Sequence, residues 1–565
     1  MTTRPVLLWG PPASGKSTAG AMLAHASRAP FVDVDVHVAR EAAEDIPAIF
    51  AGEGEAGFRA RERAVIVRAL EDPRAVIAAG GGALVDAAFR REVLRRAHVI
   101  TLDAPREVLA ARIGAQPGAR PLLAGDDADA RLDALLEARR EAYAEAHARI
   151  AGDAEPETVL HRTREALEAL RRGDVRVVPL GARSYRVTVG PAESLGVEIR
   201  GLAPSSVVWV TDARVMRRVG GPAHFGVIDP PAAKLALRGR GEADKTLASV
   251  RAIWDAALAR GIDRDALLVA AGGGVVTDLT GFAAATLLRG VRYASAPTTL
   301  LAMVDASVGG KTGFDHRAGK NLLGAFHQPS AVVCDPRALE SLTQRARRAG
   351  LAEIAKIALA CDAGLLAALE RDADALHGAS IASLAPHIAP AIQAKIDVVV
   401  RDERESGERA LLNFGHTIGH ALEQGSRYAM PHGECVALGM RAALNLGVLS
   451  GLTPAVHAAR ALALLDALGL PAAPTAPVNR AVAVRALGSD KKRRGGELRF
   501  VTLFARYGER VLRTFRLERP QRFLHGLAMR SAAARNALWI GATLLAVAAV
   551  WQARAALRRP RPRYA

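Results

Sequence analysis

The chain has 565 residues, half of them hydrophobic, so it is long enough for three or four folded domains and too apolar to be disordered throughout. Its formal net charge of +18 would suit nucleic acid, but the charge is not concentrated in one region. Only 4% of the residues are aromatic, which argues against a base-stacking surface. Cys334, Cys361 and Cys435 form no CxxC motif, and no signal peptide is recognised. We therefore expect a cytoplasmic protein with small-molecule substrates and no nucleic-acid partner.

The basic residues are almost all arginine, and only nine lysines occur. A chain with this bias is expected to keep lysine where a compact and flexible ammonium group is needed. Eight of the nine lysines lie in the motifs described below, and Lys234 is the exception. The placement indicates that these motifs are functional.

Residues 1–170 alternate short apolar runs with amphipathic helical stretches, which predicts an α/β domain. A strand at Val6–Trp9 runs into GPPASGKST at residues 10–18, and a helix follows, as in a phosphate-binding loop. Backbone N–H groups of such a loop meet phosphate oxygens, the lysine reaches the terminal phosphates and the serine holds Mg²⁺. The predicted ATP-binding residues of this loop are Gly10, Ser14, Gly15, Lys16, Ser17 and Thr18.

Five features after the loop could form a site for the phosphate acceptor. They are Asp33 and Asp35 at the end of a strand, Arg59 on a helix, the glycines at 80–82, Arg120 in a lid-like stretch, and Arg139 on a later helix. Taken singly, the acidic pair could be a solvated turn, Arg59 could form a surface ion pair with Glu62, and Arg139 could be an ordinary surface residue.

In order and spacing these features resemble shikimate kinase across residues 4–165. The resemblance implies that Ser17 and Asp33 serve Mg²⁺, and that Asp35 accepts the hydroxyl proton of shikimate. It further implies that Lys16 and Arg120 are catalytic, with Arg120 also contacting ATP. The implied shikimate-binding residues are Asp35, Arg59, Gly81 and Arg139.

Residues 171–179 are interpreted as a linker, although strands are predicted at 175–179 and 185–189. A second α/β region at 180–344 has predicted strands at 207–211, 267–271 and 332–334. From 345 to 519 Ala/Leu-rich helices dominate, followed by a predicted strand pair at 498–504 and 509–515. The expected fold class is an α/β phosphate-binding-loop domain, then a second α/β domain and a mainly helical domain.

Two sets of residues in the second region point to anionic ligands. A buried strand runs into GGGVVTD at residues 272–278, where glycine N–H groups could meet a pyrophosphate, although many strands end in glycines. Beyond it, PTTLL at 297–301, VGGKT at 308–312 and the Lys320-Asn321 pair suggest a pocket for a phosphorylated polyhydroxy ligand.

A third set suggests a metal. Glu353 and Lys356 share a helix face, as do His416 and His420, and His432 follows 12 residues later. Catalytic zinc takes three protein ligands and keeps an open position. The residues alone leave open which three would be ligands, because one histidine could be an acid–base neighbour.

Residues 180–515 resemble 3-dehydroquinate synthase nearly throughout, on the strings above together with LNFGHTIGHA at 412–421 and HGE at 432–434. The resemblance implies Zn²⁺ or Co²⁺ on Glu353, His416 and His432, with His420 handling protons and Lys311 and Lys356 also catalytic. It implies NAD⁺ as a regenerated cofactor that oxidises the substrate transiently before phosphate leaves and the ring closes. The implied NAD-binding residues are Asp212, Glu242, Lys245, Gly273, Gly274, Asp278, Thr298, Thr299, Lys320 and Asn321. The implied substrate contacts are Asp305, Lys311, Asn321, Lys356, Lys395, Arg289, Arg409, Asn413 and Lys491, the last in a turn with Asp490 and Lys492.

The sequence departs from the synthase pattern at three positions near the expected NAD edge. Ala306 stands where the family usually has serine, and Ala338 and Ala346 replace an aromatic and an acidic residue. We expect these changes to affect nucleotide affinity and to leave the metal and substrate groups intact.

The tail at 520–565 matches neither enzyme. Residues 536–553 carry no charge and are flanked by arginines, which is short for a membrane span of about 20 residues. The interpretations are a membrane-contacting helix, a helix packed on the protein or a partner, and an extension without a role.

Together these features predict a bifunctional kinase and synthase, with a homodimer through the synthase half. Two alternatives remain at this point: a kinase fused to another sugar-phosphate cyclase, and a scaffold protein with inactive sites. Intact Lys16, Glu353 and the three histidines argue against the scaffold.

Overall fold

The computed structural model describes residues 4–115, 127–229, 231–317, 319–488, 499–501 and 514–516. The chain divides into two compact units, Met1–Pro191 and Ala192–Ala565. The first ends later than the predicted bound at 170, and the bounds at 170 and 344 stay predictions.

The first unit contains a parallel sheet with a helix or loop after each strand. Its strands are β1 (Val6–Trp9), β2 (Phe31–Asp33), β3 (Val76–Ala78), β4 (His98–Asp103) and β5 (Ala148–Ala151). They lie in the order β2-β3-β1-β4-β5, and each adjacent pair is parallel. In such a sheet, ligands bind at the carboxyl ends of the strands. The phosphate-binding loop follows the central strand β1 at this edge.

Helices cover both faces of this sheet, so its central strand is apolar at every position. Leu7 and Trp9 are buried in one cluster, and Val6 and Leu8 in another. The helices are α1 (Lys16–Ser27), α2 (Val34–Ala42), α3 (Ile46–Ala69), α4 (Ala87–Arg96), α5 (Arg106–Gly114), α6 (Ala128–Ala144) and α7 (Pro156–Arg172).

Residues 171–179, which the sequence suggests as a linker, have regular secondary structure for most of their length, including the predicted strand. Helix α7 continues through Arg172, and the next residues form the hairpin strands β6 (Asp174–Val178) and β7 (Tyr185–Val189). The apolar run of β6 explains the difference, because Val177 packs into the core of the first unit. The charged sequence at 171–174 is a helix end and a strand start.

The second unit begins with an α/β region. Its strands in this region are β8 (Val207–Asp212), β9 (Ala233–Leu237), β10 (Leu267–Gly272), β11 (Arg292–Pro297), β12 (Lys311–His316), β13 (Gly319–Phe326) and β14 (Ala331–Cys334). Five are parallel neighbours in the order β14-β11-β10-β8-β9, and β12 and β13 form a separate antiparallel hairpin. Buried side chains on both faces explain why β10 is a continuous apolar run.

Helices α8 (Ser194–Leu202), α9 (Ala213–Arg218), α10 (Leu247–Leu258) and α11 (Gly274–Thr286) belong to this region. The remaining helices form the predicted helical region: α12 (Gln344–Cys361), α13 (Ala363–Arg371), α14 (Ala373–His377), α15 (Ile381–Arg401), α16 (His416–Gly425), α17 (His432–Leu449), α18 (Ala455–Ala467) and α19 (Arg480–Gly488). The predicted fold class is thus confirmed.

Two of the histidines predicted to bind metal are the first residues of their helices. His416 is the first residue of α16 and follows Gly415, which has a φ of 78°. A Cβ at Gly415 would lie 2.7 Å from the carbonyl oxygen of Val436, so this close approach of α16 to α17 requires glycine. His432 is the first residue of α17.

The last predicted strand pair is present in shorter form, as β15 (Arg499–Val501) paired with β16 (Thr514–Arg516). Arg120, the turn Asp490-Lys491-Lys492 and the tail at 520–565 lie outside the described residues. Within the described ranges, no helix is long and apolar enough to cross a membrane.

Candidate active sites

The loop between β1 and α1 has the backbone of a phosphate-binding turn. Gly10 and Gly15 have φ values of 137° and 92°. A Cβ at Gly10 would lie 2.1 Å from the carbonyl oxygen of Leu102 on the neighbouring strand, so no side chain fits there. Lys16 folds back and donates a hydrogen bond to the carbonyl oxygen of Pro11 at 2.6 Å.

This loop forms one wall of a cavity of about 710 Å³. The structure brings the predicted acceptor-site residues of the described chain into the same wall, although the sequence separates them by more than 100 positions. The predicted residues in the wall are Ser14, Gly15, Lys16, Ser17, Thr18, Asp33, Asp35, Arg59, Gly81 and Arg139.

Arg59 forms an ion pair with Glu62, which the sequence suggests as the alternative to a substrate-binding role. The pair is not an ordinary surface contact, because Glu62 is only 1% exposed and both residues line the cavity. Burial raises the pKa of Glu62 to about 7, against the opposing effect of the Arg59 guanidinium. The carboxyl group of Glu62 is therefore poised to change protonation near neutral pH.

The glycine triplet at 80–82 makes room for these two side chains. A Cβ at Gly80 would lie 2.5 Å from Glu62 Oε1, and one at Gly82 would lie 2.1 Å from a guanidinium nitrogen of Arg59. Between them, the carbonyl oxygen of Gly81 accepts a hydrogen bond from the Tyr143 hydroxyl at 2.8 Å. The triplet thus lets an ion pair pack against the backbone at the cavity wall.

Two residues of this wall were missed from the sequence. The sequence suggests Glu62 only as a surface ion-pair partner of Arg59, and it predicts no role for Arg112. Arg112 donates to the carbonyl oxygens of Ala13 at 3.2 Å and Gly152 at 2.9 Å, which ties the phosphate-binding loop to a neighbouring segment. In so arginine-rich a chain, a single arginine on a helix gives no usable signal.

The second unit contains a cavity of about 1240 Å³. Its wall combines the start of α11, the β12–β13 hairpin, and residues of α15, α16 and α17. The predicted residues in this wall are Glu242, Lys245, Gly274, Asp278, Asp305, Lys311, Lys320, Asn321, Lys395, Arg409, Asn413, His416, His420 and His432.

Buried ion pairs define one end of this cavity. Lys245 donates to Asp278 Oδ2 and to Asn321 Oδ1, each at 2.6 Å, and Lys320 Nζ lies 2.9 Å from Glu242 Oε1. Burial lowers the pKa of Lys245, but the carboxylates of Asp278 and Glu242 outweigh it and raise the pKa. Lys245 therefore remains an ammonium group inside the protein.

Several predicted nucleotide residues are not in the described wall. Asp212 accepts hydrogen bonds from the backbone N–H groups of Arg214 and Val215, at 2.7 and 3.0 Å, and so caps α9. Gly273 is the residue before α11, next to the wall residue Gly274. The other predicted residues outside this wall are Arg289, Thr298, Thr299, Glu353 and Lys356.

Three of these residues differ sharply in exposure. Arg289 is exposed and its φ of 68° is left-handed, so the structure does not bring it to the cavity. Glu353 and Lys356 are fully buried behind the wall and contact wall residues.

The three positions that depart from the synthase pattern differ in their distance from the cavity wall. Ala306 is a wall residue, and a Cβ at Gly274 would lie 3.4 Å from its Cβ, so a larger residue at 306 would reach the start of α11. Ala338 is buried and Ala346 is exposed, and neither is in the described wall. Their effect on nucleotide affinity stays a prediction.

Glu353, His416 and His432 meet in one cluster whose ligand atoms lie within 4.8 Å of one another. His432 Nε2 is 3.3 Å and His416 Nε2 is 3.9 Å from Glu353 Oε1. Glu353 is 0% exposed, and its Oε1 has no hydrogen-bond partner among the described residues. A carboxylate oxygen buried without a donor and faced by two imidazole nitrogens fits a divalent cation.

His420 lies beside this cluster, with its ring centroid 5.3 Å from that of His416 and 5.8 Å from that of His432. It groups with Glu423 and His432 in a second set of close potential ligands. The structure thus separates His420 from Glu353, in the arrangement that the resemblance implies, and the roles themselves stay predictions.

Asp305 sits between two lysines at the other end of the cavity. Its carboxylate contacts the Lys395 ammonium directly, and Lys356 Nζ lies 3.5 Å from its second oxygen. Burial alone would raise the pKa of Asp305, but the two ammonium groups hold it far below its usual range. Burial lowers the pKa of Lys395 to about 8, which Asp305 only partly offsets.

The loop after α15 adds acidic and basic groups to the same end. Glu405 pairs with Lys311 at 2.5 Å and accepts a hydrogen bond from Asn413. Arg409 is buried, and its guanidinium donates to the carbonyl oxygens of Gly309, at 2.8 Å, and Glu403. Arg409 therefore holds the loop in place as well as lining the cavity.

Glu405 and Glu423 were missed from the sequence. Glu423 follows His416 and His420 at positions i+7 and i+3, so helical spacing could have placed it on the same face. Glu405 lies in an irregular loop, where helical or strand spacing cannot predict which way a side chain faces. Its place in the cavity wall is seen only from its contacts with Lys311 and Asn413.

Three family models match the chain: shikimate kinase over residues 12–169, 3-dehydroquinate synthase N-terminal over 236–349, and 3-dehydroquinate synthase C-terminal over 350–493. A 3-dehydroquinate synthase of Halorhodospira halophila (strain DSM 244 / SL1) is 43% identical over 329 residues, which cover 58% of this chain and 92% of the relative. One of Nostoc punctiforme (strain ATCC 29133 / PCC 73102) is 41% identical over 340 residues, covering 57% of this chain and 91% of the relative.

Among solved structures, the second unit is similar to 2-deoxy-scyllo-inosose synthase in complex with carbaglucose-6-phosphate, NAD⁺ and Co²⁺. That likeness has a TM-score of 0.53 and 25% identity, covering 61% of this chain and 96% of the other. A 2-epi-5-epi-valiolone synthase from Streptomyces hygroscopicus subsp. jinggangensis 5008, with NAD⁺ and Zn²⁺ bound, has a TM-score of 0.53 and 28% identity, covering 65% and 97%.

A phosphate-binding loop on a parallel sheet, and a second α/β unit whose cavity meets a buried Glu–His–His cluster, define an enzyme with two active sites. The matches to 3-dehydroquinate synthases over most of their length identify the second active site. The chain belongs to the 3-dehydroquinate synthase family and carries a shikimate kinase domain ahead of the synthase. It is a bifunctional enzyme of the shikimate pathway, which confirms the main functional prediction.

Proposed function

We propose that shikimate is phosphorylated by ATP in the cavity beside the phosphate-binding loop. Lys16 and the loop backbone bind the phosphates, Ser17 and Asp33 hold Mg²⁺, and Asp35 accepts the hydroxyl proton. The product is shikimate 3-phosphate. The grouping of Asp35, Arg59 and Arg139 with the loop in one wall supports this assignment.

Arg59 and Arg139 bind the shikimate carboxylate in this proposal. A guanidinium group can hold a carboxylate through two parallel hydrogen bonds, which fixes its orientation. Glu62 competes for Arg59 while it is ionised and releases it when protonated, so the buried pair with Glu62 tunes how tightly Arg59 can hold the substrate.

We further propose that the second cavity converts 3-deoxy-D-arabino-heptulosonate 7-phosphate to 3-dehydroquinate with release of phosphate. The single observation that carries this is the Glu353–His416–His432 cluster beside a cavity whose other groups suit a nucleotide and a phosphorylated acid. When bound, NAD⁺ accepts and returns a hydride, and a Zn²⁺ or Co²⁺ ion polarises substrate oxygens.

The residues of this cavity divide the remaining work. Lys245, Asp278 and Glu242 hold the nucleotide end, where their ion pairs fix the side chains in place. Lys395, Lys311 and Asn413 face the acid and hydroxyl groups of the substrate. His420 moves a proton to or from a substrate oxygen near the cluster.

The test uses the full-length protein loaded with Zn²⁺ and Mg²⁺. ADP formation from ATP and shikimate reports the kinase, and phosphate release from the heptulosonate phosphate in the presence of NAD⁺ reports the synthase. Proton NMR of the second product distinguishes 3-dehydroquinate from the carbocycle of another sugar-phosphate cyclase. Absence of both activities, or a different carbocycle, would overturn the proposal.

We also propose a cytoplasmic homodimer through the synthase half, with residues 536–553 contacting a membrane. Eighteen uncharged residues between arginines support the membrane contact. Light scattering of the pure protein tests the dimer. Sedimentation with vesicles, compared with a chain lacking residues 520–565, tests the tail.

A further inference from the structure

Glu423 links His432 of the metal cluster to Lys320, which lies among the buried ion pairs of the cavity, through a single oxygen. Its Oε1 accepts a hydrogen bond from His432 Nδ1 at 3.0 Å and one from the Lys320 ammonium at 3.3 Å. Glu423 is 2% exposed, so these contacts are sheltered from water.

The contact with Glu423 favours one tautomer of the His432 ring. A neutral imidazole has one N–H and one lone pair, and a carboxylate at Nδ1 keeps the hydrogen there. The Nε2 lone pair is then presented towards Glu353, whose Oε1 is 3.3 Å away. Carboxylates in this position orient metal-binding histidines and make them more basic.

The contact with Lys320 reaches the nucleotide end. Lys320 Nζ is also 2.9 Å from Glu242 Oε1 and lies 4.6 Å from the centroid of the Tyr428 ring. Removing Glu423 would leave this buried ammonium with one carboxylate partner in place of two. Lys320 would then be free to shift towards Glu242, in the part of the wall assigned to the nucleotide.

Glu423 could instead be a direct ligand of a second cation, because its carboxylate, His420 and His432 also lie close together. The ammonium at 3.3 Å from Oε1 opposes a cation at that oxygen, since like charges repel strongly in a buried site. The orientation of His432 Nε2 towards Glu353 also favours a single cation site. We therefore treat a second cation as an outcome that the test must distinguish.

We propose that Glu423 is a positioning residue that fixes His432 for the metal cluster and Lys320 for the nucleotide end. This inference rests on the proposed function of the second cavity. It assigns Glu423 no contact with the substrate or the reacting atoms.

The test is Co²⁺ binding to metal-free, untagged full-length protein, followed by visible absorption and by metal content per chain. Glu423→Ala is expected to weaken Co²⁺ binding by about 10–100-fold and to change the absorption spectrum, because His432 loses its partner. Glu423→Gln keeps an acceptor for Nδ1–H but loses the charge, so it should weaken binding by about tenfold or less. A larger loss in Glu423→Ala than in Glu423→Gln is a graded response that simple damage to the fold would not give.

Asp335→Asn is the matched control. Asp335 is also a buried acid of the second unit, but it accepts from the backbone N–H of Ala192 and pairs with Arg337, away from the described cavity wall. The Co²⁺ affinity and the absorption spectrum of the Asp335→Asn protein should equal those of the wild type. Circular dichroism identifies a variant that has not folded, and Glu423→Gln then decides the question.

Wild-type affinity and spectrum in both Glu423 variants would overturn the inference while leaving the proposed function in place. Two Co²⁺ ions per wild-type chain, with one lost in Glu423→Ala, would overturn it in favour of a second cation site. A wild-type protein that binds no Co²⁺ would overturn the proposed metal site itself.

Discussion

Lys356 lies one helical turn after Glu353 on α12, and its ammonium is 2.5 Å from Glu353 Oε2 although both side chains are buried. The same ammonium is 3.5 Å from Asp305. Burial lowers the pKa of Lys356, but these two carboxylates outweigh it and raise the pKa above its ordinary value. One buried charge thus connects the metal cluster with the substrate end of the cavity.

Lys356→Met should destabilise the second unit and abolish synthase activity. It leaves Glu353 and Asp305 without a shared partner in a buried site, which typically costs about 3–5 kcal/mol. Denaturant unfolding of the full chain measures the loss, and shikimate phosphorylation should continue at the wild-type rate.

Lys234→Met is the control for this substitution, because Lys234 is exposed and belongs to no motif. It should change neither activity nor the free energy of unfolding. A Lys356→Met protein as stable and active as this control would show that the buried ammonium is dispensable.

The stability of the kinase unit should depend on Glu62 between about pH 4.5 and 7. Its pKa of about 7 is above the ordinary value of 4.5, so the folded state binds the proton more tightly than the unfolded chain. This contribution is fully present below pH 4.5 and is lost as pH rises through 7, a change of up to about 3 kcal/mol. Urea unfolding at pH 5 and at pH 8 measures it.

Glu62→Gln should remove that part of the pH dependence, whereas Glu92→Gln, which alters a half-exposed glutamate of the same unit, should preserve it. Equal pH dependence in the wild type and Glu62→Gln would mean that Glu62 does not titrate in this range.

The synthase should lose efficiency as pH rises through about 8, because the ammonium of Lys395 then loses its proton. Below that pH the group is charged and can attract an anionic substrate, and above it the attraction disappears. The pH profile of kcat/KM reports this ionisation in the free enzyme.

Lys395→Arg keeps its charge throughout this range, so its residual activity should not fall near pH 8. Lys234→Arg should keep the wild-type profile. If the decline near pH 8 persists in Lys395→Arg, another group is responsible for it.

Much of both sites could be predicted from residues that are rare or tightly spaced. Lys16 lies in a contiguous loop motif, and the histidines at 416, 420 and 432 stand close together in the sequence. Six of the eight lysines in motifs lie within the described residues. In the structure, Lys16, Lys245, Lys311, Lys320 and Lys395 line the two cavities, and Lys356 lies directly behind a wall.

The residues that were missed are common types whose importance comes from long-range contacts. Glu423, Glu405 and Glu62 are glutamates in a chain with many acidic residues, and their partners are fixed only when separate elements pack together. The segment at 171–179 shows a related effect: its charges at 171–174 suggest a linker, while the apolar residues Val175 and Val177 of β6 pack into buried clusters. The resemblance assigns Arg289 to the phosphate; Arg289 is exposed with a left-handed φ of 68°, and its role stays a prediction.

We expect the two active sites of the chain to work separately. A pair of assays on Lys16→Ala and His416→Ala in the full-length protein tests this. Lys16→Ala should abolish shikimate phosphorylation and retain phosphate release from the heptulosonate phosphate, and His416→Ala should do the reverse. Loss of both activities in either variant, or survival of the matching activity in both, would contradict the account.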